Sequence, residues 1–221
     1  MSPAPARGGG RRLVVLRHGE TGHNAAGIWQ GQLDVPLSDV GVAQADAAGP
    51  AVAALSPSRI VTSDLSRARR TADSVGRATG IRVEVDARFR EIHAGAWQGL
   101  TADEVAQGWP ELRAAALRGE DVRRGDDGET MGDVLVRVGE ALDELLSDLP
   151  AGECAVVSTH GAASRAVASW VLDLDLAVAW RLLGGLGNCH WGELREGRHG
   201  WMLHTWNASS GVPSQAGSSP P

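Results

Sequence analysis

Leu13-Val14-Val15-Leu16-Arg17-His18-Gly19-Glu20-Thr21 is an apolar run that ends abruptly in charge, and Val156-Val157-Ser158-Thr159-His160-Gly161 repeats the pattern far along the chain. Short apolar runs bounded by polar turn signals read as strands buried on both faces of a sheet. Each would deliver an imidazole to the carboxyl edge of that sheet, where open α/β sheets bind ligands. Working outward, strands are predicted at residues 12–16, 59–62, 81–85 and 153–159. Helical patterns fall at 38–55, with Ser38 as N-cap, and at 66–79, 130–149 and 162–172. A hairpin is expected from 188–195 and 199–205, joined near Gly197. The alternation predicts an α/β fold: a three-layer sandwich with a mostly parallel sheet and helices on both faces. Residues 92–133 break the rhythm, with short helical pieces, Trp97, Trp109 and a charged Gly-rich stretch at 119–128. They are expected to form a small helical lid insertion over the strand ends. Residues 1–10 and 208–221, rich in Gly, Pro, Ala and Ser, are expected to be disordered tails around one domain at 11–207.

With 221 residues and 43% hydrophobic content, the chain can bury the core of one domain. It has no apolar run of membrane-spanning length, and its first residues lack a signal-peptide stretch, so a cytoplasmic protein without membrane association is expected. Cys154 and Cys189 sit in apolar surroundings and read as buried thiols suited to a reducing compartment. A net charge of −6 argues against nucleic acid as a partner. All basic residues are Arg, which excludes Schiff-base lysine chemistry and supplies the planar fork that suits phosphate oxygens.

Four clusters could carry chemistry. In the first, a neutral His18 with one ring N–H held by a backbone carbonyl would present its other nitrogen as a nucleophile. Arg17 could neutralise phosphate oxygens beside it, and Gly19 would allow close approach of an anion. A strand end followed by a polar loop is the plainer reading. The second is Ser63-Asp64-Leu65-Ser66-Arg67-Ala68-Arg69-Arg70, where Asp64 or Ser66 could cap a helix whose first turns carry three arginines. Cations there oppose the helix dipole, a local misfit that often marks function. Arg67 is the expected anion contact, with Arg69 and Arg70 left as solvated surface charges. Third, Glu91 precedes the lid. Breaking a phosphate ester requires a proton for the leaving oxygen, and a carboxylic acid held above that oxygen could deliver it. Glu91 could equally be an ion-pair partner of Arg88 or Arg90. Fourth, His160 could donate to a phosphoryl oxygen, or be a satisfied core histidine.

Seven histidines prompt a check for metal. His18 and His23 are five apart, as are His199 and His204, and no His-Glu-x-x-His or Cys-x-x-Cys string occurs. No metal site is expected. Neither a Walker loop nor a dinucleotide-binding turn is present, so no cofactor is implied.

In this order, each after a strand, these segments resemble the histidine phosphatase (phosphoglycerate mutase-like) superfamily. The matching stretches are Leu16-Arg17-His18-Gly19-Glu20-Thr21, Asn24 with Gln30-Gly31, Asp34-Val35-Pro36-Leu37-Ser38, Ser63 to Ala68, Glu91 to Gly99, Gly128-Glu129-Thr130 and Thr159-His160-Gly161. The resemblance implies a phosphomonoesterase using a phosphohistidine on His18, with Glu91 as proton donor. It implies a phosphate pocket of Arg17, Arg67, His160 and Gly161, with further contacts from Asn24 and Gln30. Ile28 departs from the pattern, since many members carry Arg shortly before the Gln-Gly pair. Glu91 to Thr101 and Leu183 to Trp191 further resemble the actinobacterial phosphatases that act on glucosyl-3-phosphoglycerate. A sugar-bearing substrate would give Trp97 or Trp109 a stacking role, although both also suit a lid core. A small phosphomonoester is the expected partner, and a homodimer is left open.

The main rival is a cofactor-dependent phosphoglycerate mutase. Known mutases of that kind share a longer, basic, water-excluding lid. Here only 68 residues intervene between Glu91 and His160, and they mix Arg with Asp and Glu. A non-catalytic phosphate-ligand or protein-binding module is a second rival, but it predicts loss of the nucleophile or the donor.

Overall fold

In the computed structural model, which describes residues 9–211, six strands form one sheet. They are β1 (Arg12–Arg17), β2 (Arg59–Thr62), β3 (Val83–Val85), β4 (Cys154–Thr159), β5 (Trp191–Gly197) and β6 (Gly200–Ala208), in the order β3-β2-β4-β1-β5-β6. The first four run parallel, while β5 and β6 form the expected hairpin and pair antiparallel at one side. Alternation along each inner strand divides the core in two. Leu13, Val15, Val61, Ala155 and Val157 face α6 (Met131–Asp148) and α7 (Gly161–Leu172). Val14, Leu16, Ile60 and Val156 face α2 (Asp39–Ala53) and α3 (Ser66–Thr79). The result is a helix–sheet–helix sandwich, as the apolar runs require.

Local signals account for most helix starts. The Ser38 hydroxyl accepts from Gly41 N–H at 3.1 Å, and Thr130 caps α6 in a reciprocal box with Asp133. Helix α3 is the exception to expectation. Its N-cap is Leu65, without a side-chain bond; neither Asp64 nor Ser66 caps it. Instead Asp34, from a distant loop, accepts the Ser66 N–H at 2.7 Å, while Asp64 pairs with Arg90. An anion does sit at that helix start, but it belongs to the protein itself.

Two short helices were not anticipated, α1 (Gly22–Ala26) and α8 (Leu176–Leu182). The strand expected at 81–85 begins only at Val83, and residues 188–190 form a turn before β5. Strand β6 extends to Ala208, and Gly10 packs against Glu196, so both ends of the domain reach slightly into the expected tails. The remainder of those tails lies outside the described residues. Residues 92–133 carry α4 (Ala102–Gly108) and α5 (Pro110–Leu117) around a small core of their own, built from Trp97, Val105 and Trp109 with Trp29. Among the described residues, no helix is long and apolar enough to cross a membrane.

One close approach ties the fold to the polar end of β1. A Cβ on Gly41, in the first turn of α2, would lie 1.9 Å from the Glu20 carbonyl oxygen, and one on Gly19 would lie 2.5 Å from the Gly41 carbonyl. The two backbones touch where a side chain cannot fit. Gly41→Ala must push them apart, and overpacking of this kind costs about 1–3 kcal/mol. A lowered urea midpoint is expected; an unchanged midpoint would show that the contact yields freely.

Candidate active site

The pairing of β1 with β4 decides where the two histidines go. Arg17 is the register partner of Thr159, so His18 and His160 emerge side by side at the carboxyl edge, with ring centroids 5.1 Å apart. The His18 N–H donates to the Thr159 carbonyl at 3.0 Å, extending the ladder by one residue. Both rings are buried.

His18 Nδ1 lies 2.7 Å from the Gly19 carbonyl oxygen. A carbonyl can only accept, so Nδ1 carries the proton in the neutral ring and Nε2 holds the lone pair. Burial, with the Arg67 and Arg17 guanidiniums adding repulsion, holds His18 well below the ordinary histidine pKa; the Gly19 contact opposes this. His160 is held low by burial first, then by Arg67 and His18. Neither of its ring nitrogens has a partner among the described residues. It is not the satisfied core histidine considered from sequence, although it stands behind the cleft and exposes no surface.

Arg17 and Arg67 are buried cations positioned by backbone carbonyls. Arg17 Nη1 donates to Leu186 at 2.6 Å; Arg67 donates from Nη1 to Leu33 at 2.7 Å and from Nη2 to Gly31 at 2.8 Å. Burial lowers both, Arg67 to about 10, which leaves Arg67 charged at neutral pH; a guanidinium such as that of Arg17 keeps its proton in proteins. Arg70 pairs with Asp46, as expected of a surface charge. Gly19 serves a different purpose from the one expected. It does not line the cleft, and its missing side chain makes room for α2.

Glu91 pairs with neither neighbouring arginine. Arg88 binds Asp86 and Glu144, and Arg90 binds Asp64. The Glu91 carboxylate instead accepts from Ala162 and Ala163 N–H at 3.1 Å each, at the start of α7. Its backbone is pinned from behind: Arg137 Nη2 and Gln32 Nε2 donate to the Glu91 carbonyl at 2.9 and 3.0 Å, and Glu129 holds Arg137 at 2.8 Å. None of these three supports was anticipated beyond the match at Glu129.

Asn24 and Gln30 turn their amide oxygens toward Thr21. Thr21 Oγ1 lies 2.8 Å from Gln30 Oε1 and 3.1 Å from Asn24 Oδ1, and Asn188 Nδ2 donates to Asn24 Oδ1 at 3.2 Å. The oxygens being engaged, the two N–H₂ groups remain as donors. Gly161 sits between Glu91 and Arg17, where a Cβ would be 3.5 Å from Glu91 Oε2.

Arg17, His18, Asn24, Gln30, Arg67, Glu91 and Gly161 wall one open cleft, and His160 stands behind it. Four arginines line it, Arg17, Arg67, Arg124 and Arg165, against a single carboxylate, Glu91. Arg124, Arg165 and Trp180 were missed, as they lie outside the matched segments. Trp97 and Trp109 do not line the cleft; they pack edge-to-face in the core of residues 92–133, and the aromatic walls of the cleft are the buried Trp29 and the half-buried Trp180. Ile28 lines the cleft too, and its backbone bridges to Thr101 of the lid. Among the described residues no cluster of three or more His, Cys, Asp or Glu could hold a metal. Both cysteines are free and buried, their thiols pushed up by burial to about 11 for Cys154 and about 12 for Cys189.

Fold and site together define an α/β protein with a histidine at the centre of an arginine-lined, anion-seeking cleft. The chain belongs to the histidine phosphatase superfamily (branch 1), whose family model matches residues 13–209, and it is an enzyme of the phosphatase class. It is 39% identical to a glucosyl-3-phosphoglycerate phosphatase of Mycobacterium tuberculosis over 92% of this chain and 97% of that one. A mycobacterial glucosyl-3-phosphoglycerate phosphatase solved with VO3 superposes with a TM-score of 0.84 at 39% identity, covering 90% of this chain and all of that one. A protein of Erwinia tasmaniensis named as a probable phosphoglycerate mutase, GpmB, is 33% identical over 88% of this chain and 89% of its own.

The two depressed imidazoles make stability depend on pH with a definite sign. Between their lowered values and about 6.5 the unfolded chain binds protons that the folded chain refuses. Stability is therefore complete above about pH 6.5 and falls as pH drops below it, by up to about 1.4 kcal/mol per pH unit for each ring. Asp64, Glu129 and Glu196, held low by their arginine partners, titrate below this window. Urea midpoints should decline from pH 6.5 to 5, and His160→Asn should flatten the decline; an equal slope in that variant would contradict the assignment.

Proposed function

We propose that the chain hydrolyses a phosphomonoester in two in-line steps through a phosphohistidine on His18. The observation that supports this best is the neutral, buried His18 ring, its Nδ1 proton engaged by Gly19 and its Nε2 left bare beside two arginines. In the first step the Nε2 lone pair forms the N–P bond as the P–O ester bond breaks. Arg17 and Arg67 hold the equatorial oxygens, and the N–H₂ groups of Asn24 and Gln30 add donors. His160, with both ring nitrogens unpartnered, donates to a phosphoryl oxygen held against His18. Glu91 gives its proton to the leaving alkoxide. In the second step Glu91 takes a proton from water, the water oxygen bonds to phosphorus, and the N–P bond breaks to free His18 and inorganic phosphate.

Nothing in these steps calls for a metal or a cofactor. Likeness to the mycobacterial enzymes favours glucosyl-3-phosphoglycerate as substrate, and the cleft offers Trp29 and Trp180 as apolar walls for a sugar. Residues 92–133 act as the lid over the cleft in this reading. Two free thiols suit action in the reducing cytoplasm.

Phosphate release from glucosyl-3-phosphoglycerate, 3-phosphoglycerate, sugar phosphates and nucleotides is the direct test. Glucosyl-3-phosphoglycerate should lead the panel, and activity should survive EDTA. Isomerisation of phosphoglycerate with 2,3-bisphosphoglycerate, and no net release, would favour a mutase instead. His18→Ala should lower turnover at least about a thousandfold. Glu91→Gln should slow alkyl phosphates by roughly 10²–10⁴ and aryl phosphates far less, because aryl leaving groups need no proton. Equal slowing of both classes would remove Glu91 from the role of acid.

A further inference from the structure

Arg165 is a cleft-lining cation outside every motif matched from sequence. It stands four residues after Gly161 on α7, so the two share a helix face one turn apart. Gly161 lies beside both Glu91 and Arg17, so Arg165 lines the cleft one helical turn, about 6 Å of backbone rise, from the proposed proton donor. Its guanidinium is held over an aromatic ring. Cζ lies 4.0 Å from the Trp180 ring centroid, and Nε donates to the Leu183 carbonyl at 3.2 Å. The bare backbone at Gly185 gives it room, since a Cβ there would come within 3.2 Å of Nη2.

Its remaining donors are uncommitted: Nη1 and Nη2 donate to no described residue, and Arg165 forms no ion pair among them. Burial lowers its pKa while the nearby Glu91 carboxylate opposes that, and no other acidic side chain shares the cleft. A stacked guanidinium with a free Nη edge is the arrangement that receives a carboxylate by two parallel N–H···O bonds. Arg124, the other cleft arginine outside the phosphate end, is engaged differently: it is nearly sealed, lies by Trp97 and donates to the Val122 carbonyl.

We propose that Arg165 is a specificity-determining residue that binds a carboxylate on the leaving alcohol, selecting phosphate esters of hydroxy acids over esters of plain alcohols. This rests on the hydrolase reading above and deepens it. In a 3-phosphoglycerate ester the carboxyl carbon is three bonds from the ester oxygen, a reach of roughly 4 Å by ordinary bond lengths. The Trp180 stack fixes the fork before substrate arrives, so little freedom is lost on binding.

The test compares kcat/KM for 3-phosphoglycerate with that for glycerol 3-phosphate, which replaces the carboxylate by a hydroxymethyl group. The wild-type ratio should be at least about ten, because a site built to pair a group rejects the analogue lacking it. Arg165→Gln should bring the ratio toward one, chiefly through KM for 3-phosphoglycerate. Arg165→Lys, which keeps the charge and loses the fork, should give an intermediate ratio. A wild-type ratio near one overturns the proposal without any variant, and so does a ratio that survives Arg165→Gln. Failure of the underlying reading looks different: the wild-type protein would release no phosphate from either ester or from an aryl phosphate.

Discussion

An uncharged imidazole packed against two buried guanidiniums is the constraint on which the site depends. Burial first, and then the charges of Arg67 and Arg17, favour the neutral form of His18, and that same neutrality leaves Nε2 with a lone pair. The Gly19 carbonyl settles which nitrogen keeps the proton. The β1–β4 register then sets a second neutral ring 5.1 Å away. Desolvating two cations is costly, and the carbonyls of Leu186, Leu33 and Gly31 offset part of that cost without cancelling the charge. The arrangement is complementary to an anion. Although the whole chain carries −6, its cleft sets four arginines against one carboxylate.

Much of the polar network exists to orient rather than to react. Thr21 faces two amide oxygens and so turns two amide nitrogens outward. Arg137, itself held by Glu129, fastens the carbonyls of Arg88, Arg90 and Glu91, fixing the chain from which the Glu91 carboxylate reaches the start of α7. In the proposed mechanism such supports hold Glu91, His18 and the arginines in place before substrate binds, which is how a site avoids reorganising during reaction.

Features of short range or strong periodicity were legible in the sequence. The apolar runs at 13–16 and 154–157 announced buried parallel strands, and the His-Gly ends announced two imidazoles at the carboxyl edge of the sheet. Ser38 and Thr130 marked helix starts that the structure reproduces. Legibility failed where partners come from far along the chain. Asp34 displaces Asp64 and Ser66 at the start of α3 because a loop 32 residues away packs there, and no local pattern reports that. Gly19 looked like an anion contact, but its bareness serves backbone packing against Gly41. Helices α1 and α8 are five and seven residues long, too short to show a period, and so Trp180 and its contact with Arg165 stayed hidden. Trp97 and Trp109 pack in the core of residues 92–133, the plainer of their two readings.

Nitrogen-15 NMR of the histidine rings as pH is lowered tests the central claim most directly. The account predicts that His18 stays neutral well below pH 6.5, with its proton on Nδ1 and a bare Nε2. A His18 ring that is an imidazolium at pH 6.5, or that carries its proton on Nε2, would contradict it.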